Sequence, residues 1–301
     1  MNLAATTTSS GCGRRGGALS PRLLLCGFVL LLLSAAAATP ARGQVIRSFT
    51  RRNPVTNERG NIALVGNSLM SCRARNSNNC AVTRSGGVTG SNSDYPAEFI
   101  DSDGNNTTLN SSSATLTLPS GSTVLWAGLY WGARSTNITR DQIKFRPANS
   151  GFYSTLIAAQ LDSTTATSNA YQGFVDVTAQ VQSARSGTYW AADIEAETGQ
   201  DTTGFYAGWS LIVVYQDVNQ PLRNLTVFDG FASVSNGNNV TTTANGLLTP
   251  TTGVYNAYAG MVTYEGDQGI NGDSFQITNT STNVSTTISD TPNPPNNFFN
   301  S

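Results

Sequence analysis

Histidine is absent from this chain of 301 residues, and lysine occurs once, as Lys144. Without an imidazole, neither a Ser-His-Asp nor a Cys-His arrangement can be assembled, and no histidine is available to complete a metal centre. Charged residues make up only 12% of the chain. With Arg14, Arg15, Arg22 and Arg42 of the N-terminal leader set aside, 13 basic residues face 18 acidic ones, a net charge of −5. That balance excludes the basic stripe on which nucleic-acid binding depends. Cysteine is scarce too: of four, Cys12 and Cys26 fall in the leader. After the leader, no apolar run is long enough to span a membrane.

What is present begins with that leader. Arg14, Arg15 and Arg22 precede an apolar run from Leu23 to Leu33, and small residues from Ser34 to Ala38 lead out of it. The order predicts a secretory signal peptide over residues 1–43, cleaved after Ala38 or Gly43, with an uncleaved anchor as the alternative. The mature chain is then expected to be secreted or held at the cell surface, touching the membrane only during export. Serine, threonine, asparagine and glycine dominate it. In an oxidising compartment Cys72 and Cys80, with seven residues between them, are expected to pair and close a polar loop. The loop-closure model gives so short a ring about 2.5 kcal/mol.

The hydrophobic pattern has a period of two, broken by turns. Ala114, Leu116 and Leu118 alternate with serine and threonines, so they share one strand face. Val124–Trp131 and residues 210–215 (SLIVVY) are nearly continuous apolar strands, as a sandwich core requires. Residues 59–72 predict a strand with a glycine break. Leu225–Phe228, Tyr255–Tyr264 and Ser274–Thr278 are further strand candidates. One helix is expected over 176–184, with Val177, Val181 and Ala184 on one face, Asp176 as its cap and Gly187 beyond its end. The prediction is an all-β protein: a β-sandwich, jelly-roll-like, with at most one short helix. Residues 44–291 form its single domain, and 292–301 a Pro/Asn-rich tail or the truncated end of the domain.

Several strings resemble the N-terminal domain of large secreted bacterial surface proteins that continue into conserved-repeat β-sandwich modules, the group called domain of unknown function 11. They are RGNIALVGNSLMSC (59–72), NSSSATLTLPSGSTVLWAGLYWG (110–132), YAGWSLIVVYQD (206–217), PLRNLTVFDGF (221–231), YEGDQGINGD (264–273) and NNFFNS (296–301). The resemblance implies a non-catalytic surface module of structural or adhesion type. It also implies more domain after NNFFNS, so the sequence is read as either a fragment or a stand-alone version.

Two loops carry oxygen ligands at spacings suited to calcium, the one cofactor considered. Asp101, Asp103 and Asn105 alternate around Gly104, and Glu265, Asp267 and Asp273 line a second glycine-rich loop. The competing reading of both is turn chemistry, since Asp, Asn and Gly populate turns for backbone reasons. Trp126, Tyr130 and Trp131 offer flat rings on which a sugar could stack, against the alternative of core packing. The expected partner is therefore an extracellular ligand, a glycan or another surface protein. Asp193, Glu195 and Glu197 alternate as if on one strand face, but glycosidase carboxylates face each other across a cleft. Lys144 is the sole possible donor for an intramolecular isopeptide bond, and it also reads as an outward residue of a plain strand.

Overall fold

A computed structural model describes residues 2–4, 44–54, 57–74, 80–84, 90–164, 169–234, 238–248, 252–253 and 255–300. Its body is a two-layer antiparallel sandwich. In chain order the sandwich strands are β1 (Asn57–Ser68), β2 (Ser111–Leu116), β3 (Thr123–Arg134), β4 (Gln142–Arg146), β5 (Ser154–Ile157), β6 (Gln160–Ser163) and β7 (Ala170–Asp176). Helix α1 (Thr178–Ala184), β8 (Gly187–Ala192), β9 (Ala207–Gln216) and β10 (Leu222–Asn224) complete it. One sheet has the order β6-β7-β3-β9-β1-β10 and the other β2-β8-β4-β5. The chain crosses between layers after β1, β2, β3, β5, β7 and β8, so neither sheet is built from one contiguous stretch.

The apolar content of β3 and β9 follows from their central place. Odd-numbered residues, among them Leu129, Trp131, Leu211 and Val213, face the second sheet, where Leu116, Ile143, Phe145 and Tyr189 meet them. Even-numbered Trp126, Tyr130, Ile212 and Val214 face outward into a second cluster with Phe174, Leu225 and Val227. A strand covered on both faces has no solvent side to pattern, which is why these two read as unbroken runs. Each large apolar side chain so buried contributes about 1.5–3 kcal/mol. The tryptophans also satisfy their polar ends: Trp209 Nε1 donates to Ser112 Oγ at 3.0 Å, tying one layer to the other, and Trp131 Nε1 donates to the Arg140 carbonyl at 3.2 Å. Gly173 lies opposite Trp131 in the ladder, and a Cβ there would stand 2.3 Å from the indole.

Helix α1 lies where the sequence places it and buries Val181, while Val177 is buried just before it. Asp176 Oδ1 accepts from the Thr178 N–H at 2.9 Å, although Val177 is the residue that flanks the first turn. The chain leaves the helix at Arg185, φ +57°, two residues before the predicted stop at Gly187. Three expectations change. The break in 59–72 comes at Leu69, whose N–H turns to the Ala207 carbonyl, and not at Gly66. A second helical turn, Cys80–Thr83, exceeds the single helix expected. Residues 255–264 form no strand: the exposed stretch 255–260 leads into a segment that crosses the outer face of the sheet.

Cys72 and Cys80 are disulfide-bonded, as read from the sequence, and Cys80 is fully buried. Outside the sandwich, Gln44–Arg51 pairs with Phe228–Ser233 over the outer face of the six-stranded sheet. Asn2–Ala4 pairs between Thr241–Thr243 and Phe275–Asn279, and Val284–Ile288 completes that small sheet. Apart from those three residues, the signal-peptide reading of 1–43 falls outside the described residues. Among the described residues no helix is long and apolar enough to cross a membrane. Reduction of the disulfide, or the double substitution Cys72→Ser/Cys80→Ser, is expected to lower unfolding stability by about 2.5 kcal/mol. Urea denaturation with and without reductant measures it, and coincident curves would show that the ring constrains nothing.

Candidate functional site

The outer face of the six-stranded sheet divides into two unlike halves. Over one half, Trp126, Tyr130, Phe174 and Ile212 are covered by Leu225, Val227 and the paired strands Gln44–Arg51 and Phe228–Ser233. Over the other half the strands present almost no side chain. Gly66 stands opposite Ser210, and Gly208 opposite both Ser68 and Gly132. The ring of Tyr264 lies on Gly132, where a Cβ would come within 2.7 Å of it, and its hydroxyl donates to Gln172 Oε1 at 3.2 Å. Beside that ring runs a groove of about 370 Å³, floored by Leu64–Ser68 and Ala207–Ser210 and walled by Met261–Gly266, Phe299 and Asn300. Ser210 Oγ and Asn300 Oδ1 line it, both buried and without a hydrogen-bond partner.

The covered half is fixed by a buried ionic network. Arg47 Nε reaches both oxygens of Asp162 at 2.9 Å, and its Nη2 pairs with Asp229 Oδ1. Arg52 Nε donates to Asp229 Oδ2 at 2.6 Å, and Tyr130 Oη donates to the same oxygen at 3.2 Å. Arg52 also stacks over Phe174, 4.4 Å from the ring centre. Two cations and two carboxylates cancel, and Asp229 keeps 1% of its side chain exposed. Burial, and then the charge of Asp229, push the Tyr130 phenol above its ordinary range.

Trp126, Tyr130 and Trp131 are 4%, 5% and 0% exposed, which corrects the stacking-platform reading: none has a free ring face for a sugar. They pack because β3 is central and covered twice. The Asp101–Asn105 loop spends its oxygens on itself. Asp101 Oδ1 accepts from Ser111 Oγ, Asp103 from Asn105 N–H, Thr108 Oγ1 and Tyr153 Oη, and Asn105 Oδ1 from Thr107. Turn chemistry accounts for that loop. Asp193, Glu195 and Glu197 do not share a strand face, because β8 ends at Ala192 and Asp193 turns at φ +52°. Asp193 pairs with Lys144 at 2.7 Å, Glu195 accepts from Thr139 Oγ1 and Glu197 from the Thr136 N–H. Lys144 thus stays in an ion pair about 30% exposed, without the dry surroundings that neutralise an amine and a carboxyl for amide formation.

Glu265, Asp267 and Asp273 are brought together, with Asn92, under the 296–300 segment. Asn92 donates its N–H to Asp267 Oδ1 at 2.7 Å and its Nδ2 to Glu265 Oε1 at 3.3 Å, and the Phe299 N–H donates to Asp273 Oδ2 at 2.8 Å. Desolvation, then the like charges of Asp267 and Asp273, push the Glu265 carboxyl up to about 7. Glu265 as a whole is nonetheless exposed to solvent, so water screens much of both the desolvation and the repulsion. Among the described residues no three acidic or cysteine side chains converge on one point, and the carboxylates alone make no metal cage. Asn92, Ser210, Asn297 and Asn300 were not singled out from the sequence. Asn92 lies more than 170 residues from Glu265, beyond any spacing rule.

Asp229→Asn, which leaves two guanidinium groups short of charge, is expected to lower stability by about 3 kcal/mol in urea denaturation. A second ion pair responds to pH. Arg134 grips Asp201 with two bonds of 3.0 and 2.8 Å, and this hydrogen bonding holds the Asp201 carboxyl below its ordinary range. Because the folded value is the lower one, the pair stabilises the fold above about pH 4 and stops doing so as pH falls through that lower value. Asp201→Asn should therefore be less stable than the parent at pH 7, with the difference closing below about pH 4 in paired denaturation series. Compared with known protein families, with curated proteins and with solved structures, the chain matches none.

Proposed function

We propose that this chain is a non-catalytic interaction module of adhesion type, acting outside the cytoplasm as a secreted or surface-displayed domain. Its partner in this reading is another polypeptide, held as an extended strand along the free edge of β1. The observation that carries the proposal is that edge. From Gly60 to Ser68, β1 pairs with β9 at every residue. On its other side β10 covers Asn57–Arg59, Arg223 donates to the Gly60 carbonyl and Asn67 Nδ2 donates to the Ser113 carbonyl of β2, so the open stretch is Ile62–Gly66. Even-numbered residues turn their backbone groups to that open side. The Ile62 and Ser68 N–H groups are met there by the side chains of Asn61 and Asn67, and Leu64 and Gly66 lie between them.

A long strand edge without charge is a template for pairing, and proteins ordinarily blunt it with lysine, proline or a covering element. Residues 60–68 (GNIALVGNS) carry no charge, and Leu64 is 43% exposed beside the groove. Strand addition draws affinity from main-chain hydrogen bonds and specificity from pockets for alternate side chains, and the groove supplies such a pocket. The leader read as an export signal, the disulfide and the resemblance to surface proteins support the location. The burial of Trp126, Tyr130 and Trp131 leaves no stacking face for a glycan at those three residues.

Immobilised full-length chain, probed with an array of eight-residue peptides, tests the reading. Peptides that alternate apolar and polar residues should be retained, and Leu64→Lys should weaken retention about tenfold or more while the melting temperature stays unchanged. Equal retention by Leu64→Lys would overturn the edge. Turnover of a glycan or peptide substrate by the purified chain would overturn the non-catalytic reading.

A further inference from the structure

Where residues 90–94, 264–273 and 296–300 meet, acceptor oxygens accumulate without donors. Six buried side-chain nitrogen or oxygen atoms among the described residues lack a hydrogen-bond partner, and four of them lie here. All four are oxygens: Asn92 Oδ1, Asp273 Oδ1, Asn297 Oδ1 and Asn300 Oδ1. Turning the three amides over does not relieve them. Asn92 Nδ2 donates to Glu265 Oε1, Asn297 Nδ2 to the Gln268 carbonyl at 2.9 Å, and Asn300 Nδ2 to the Pro292 carbonyl at 2.6 Å. A flip would set oxygen against oxygen at each, so the network itself fixes the orientations.

Asn297 matters most. The residue is 8% exposed, and its Nδ2 is anchored to the 265–273 loop at the Gln268 carbonyl, which leaves its Oδ1 buried and unpartnered beside that loop. Asp273 is held by one oxygen to the Phe299 N–H and keeps the other buried. None of Glu265, Asp267 and Asp273 has a lysine or arginine within ion-pair distance among the described residues, since the nearby Arg134 is spent on Asp201. Arg134 acts on Glu265 only from beyond ion-pair distance, so negative charge and lone pairs outweigh the positive charge here. Buried acceptors are normally satisfied, and four exceptions in one place call for a shared partner that is positive or a donor.

We propose that this cap binds one calcium ion, with Asp273 and Asn297 as its central ligands and oxygens of Asn92, Glu265, Asp267 and Asn300 completing the shell. Calcium takes six to eight oxygens in flexible geometry and accepts amide carbonyls beside carboxylates, as this donor set offers. Because no three carboxylates converge, the amides supply much of the coordination, and the affinity belongs to the weak class, about 0.1–1 mM. The ion would tie the C-terminal segment to the loop that walls the outer groove.

Thermal melts of the full chain in chelator and in about 5 mM CaCl2 test the site. The melting temperature should rise by about 2–9 °C with calcium across that affinity range, because a ligand bound only to the folded state stabilises it by mass action. Magnesium, which demands a tighter octahedron, should give a much smaller rise. Asp273→Asn should abolish the calcium response, Asn297→Asp should enlarge it, and Asp103→Asn should leave it intact. If Asp273→Asn fails to fold, terbium luminescence of the parent, excited through neighbouring aromatics such as Tyr264 and reversed by calcium, reads the site directly. Identical melts with and without calcium would overturn the proposal, leaving ordered water as the partner of these oxygens. An equal response to magnesium, or a calcium response that survives in Asp273→Asn, would overturn it as well.

Discussion

Asp229 sits between two guanidinium groups, and the outer layer of the molecule depends on that contact. The strands Gln44–Arg51 and Phe228–Ser233 pair with each other but share no ladder with the six-stranded sheet, and their own register is interrupted by bulges. What ties them down is Arg47, which bridges Asp229 on the outer pair to Asp162 on edge strand β6. Hydrophobic residues of equal volume could stabilise such a layer as well, since burying ions costs much of what their attraction returns. An apolar contact could, however, slide. A four-charge network with bonds of defined direction accepts one placement, and that placement seals Tyr130, Phe174 and Trp126 beneath it. With the outer face closed, β3 and β9 can be apolar at nearly every position, and the inner core packs against strands that are desolvated on their far side too.

How much of this was legible follows from which interactions are local. The runs in β3 and β9 and the alternation of β2 are properties of consecutive residues, and they named the sandwich and its core correctly. Asp176 was read as the cap of helix α1; its carboxylate does accept the Thr178 N–H, but Val177 holds the flanking position. The failures share one cause: a segment's role is set by a distant neighbour. Residues 255–264 carry strand-like valine and tyrosines, but no strand lies beside them, and the bare surface at Gly132 captures Tyr264 instead. Aromatics that looked like a binding platform became core because the outer strands cover them. Asp193, Glu195 and Glu197 alternate in sequence, but the positive φ of Asp193 breaks the parity that placing them on one face assumed. At the cap the sequence offered the acids of the 264–273 loop, whereas Asn92 and Asn297 join them only through the fold.

The two long edges of the six-stranded sheet are treated differently. At one, β6 is four residues long and is capped by the Arg47–Asp162 pair, a short edge with charge on it. At the other, β1 is twelve residues long and β10 covers three of them. If the sheet needed only to avoid association, the second edge would be the one to carry lysine or proline, and it has neither. Its neighbourhood is instead smoothed: Gly66 and Gly208 lower the outer face beside it, where a Cβ on Gly66 would strike the Trp209 carbonyl at 2.2 Å. Close approach along a glycine floor, an open row of backbone groups and an exposed leucine at the rim all favour an incoming main chain over a bulky or charged ligand.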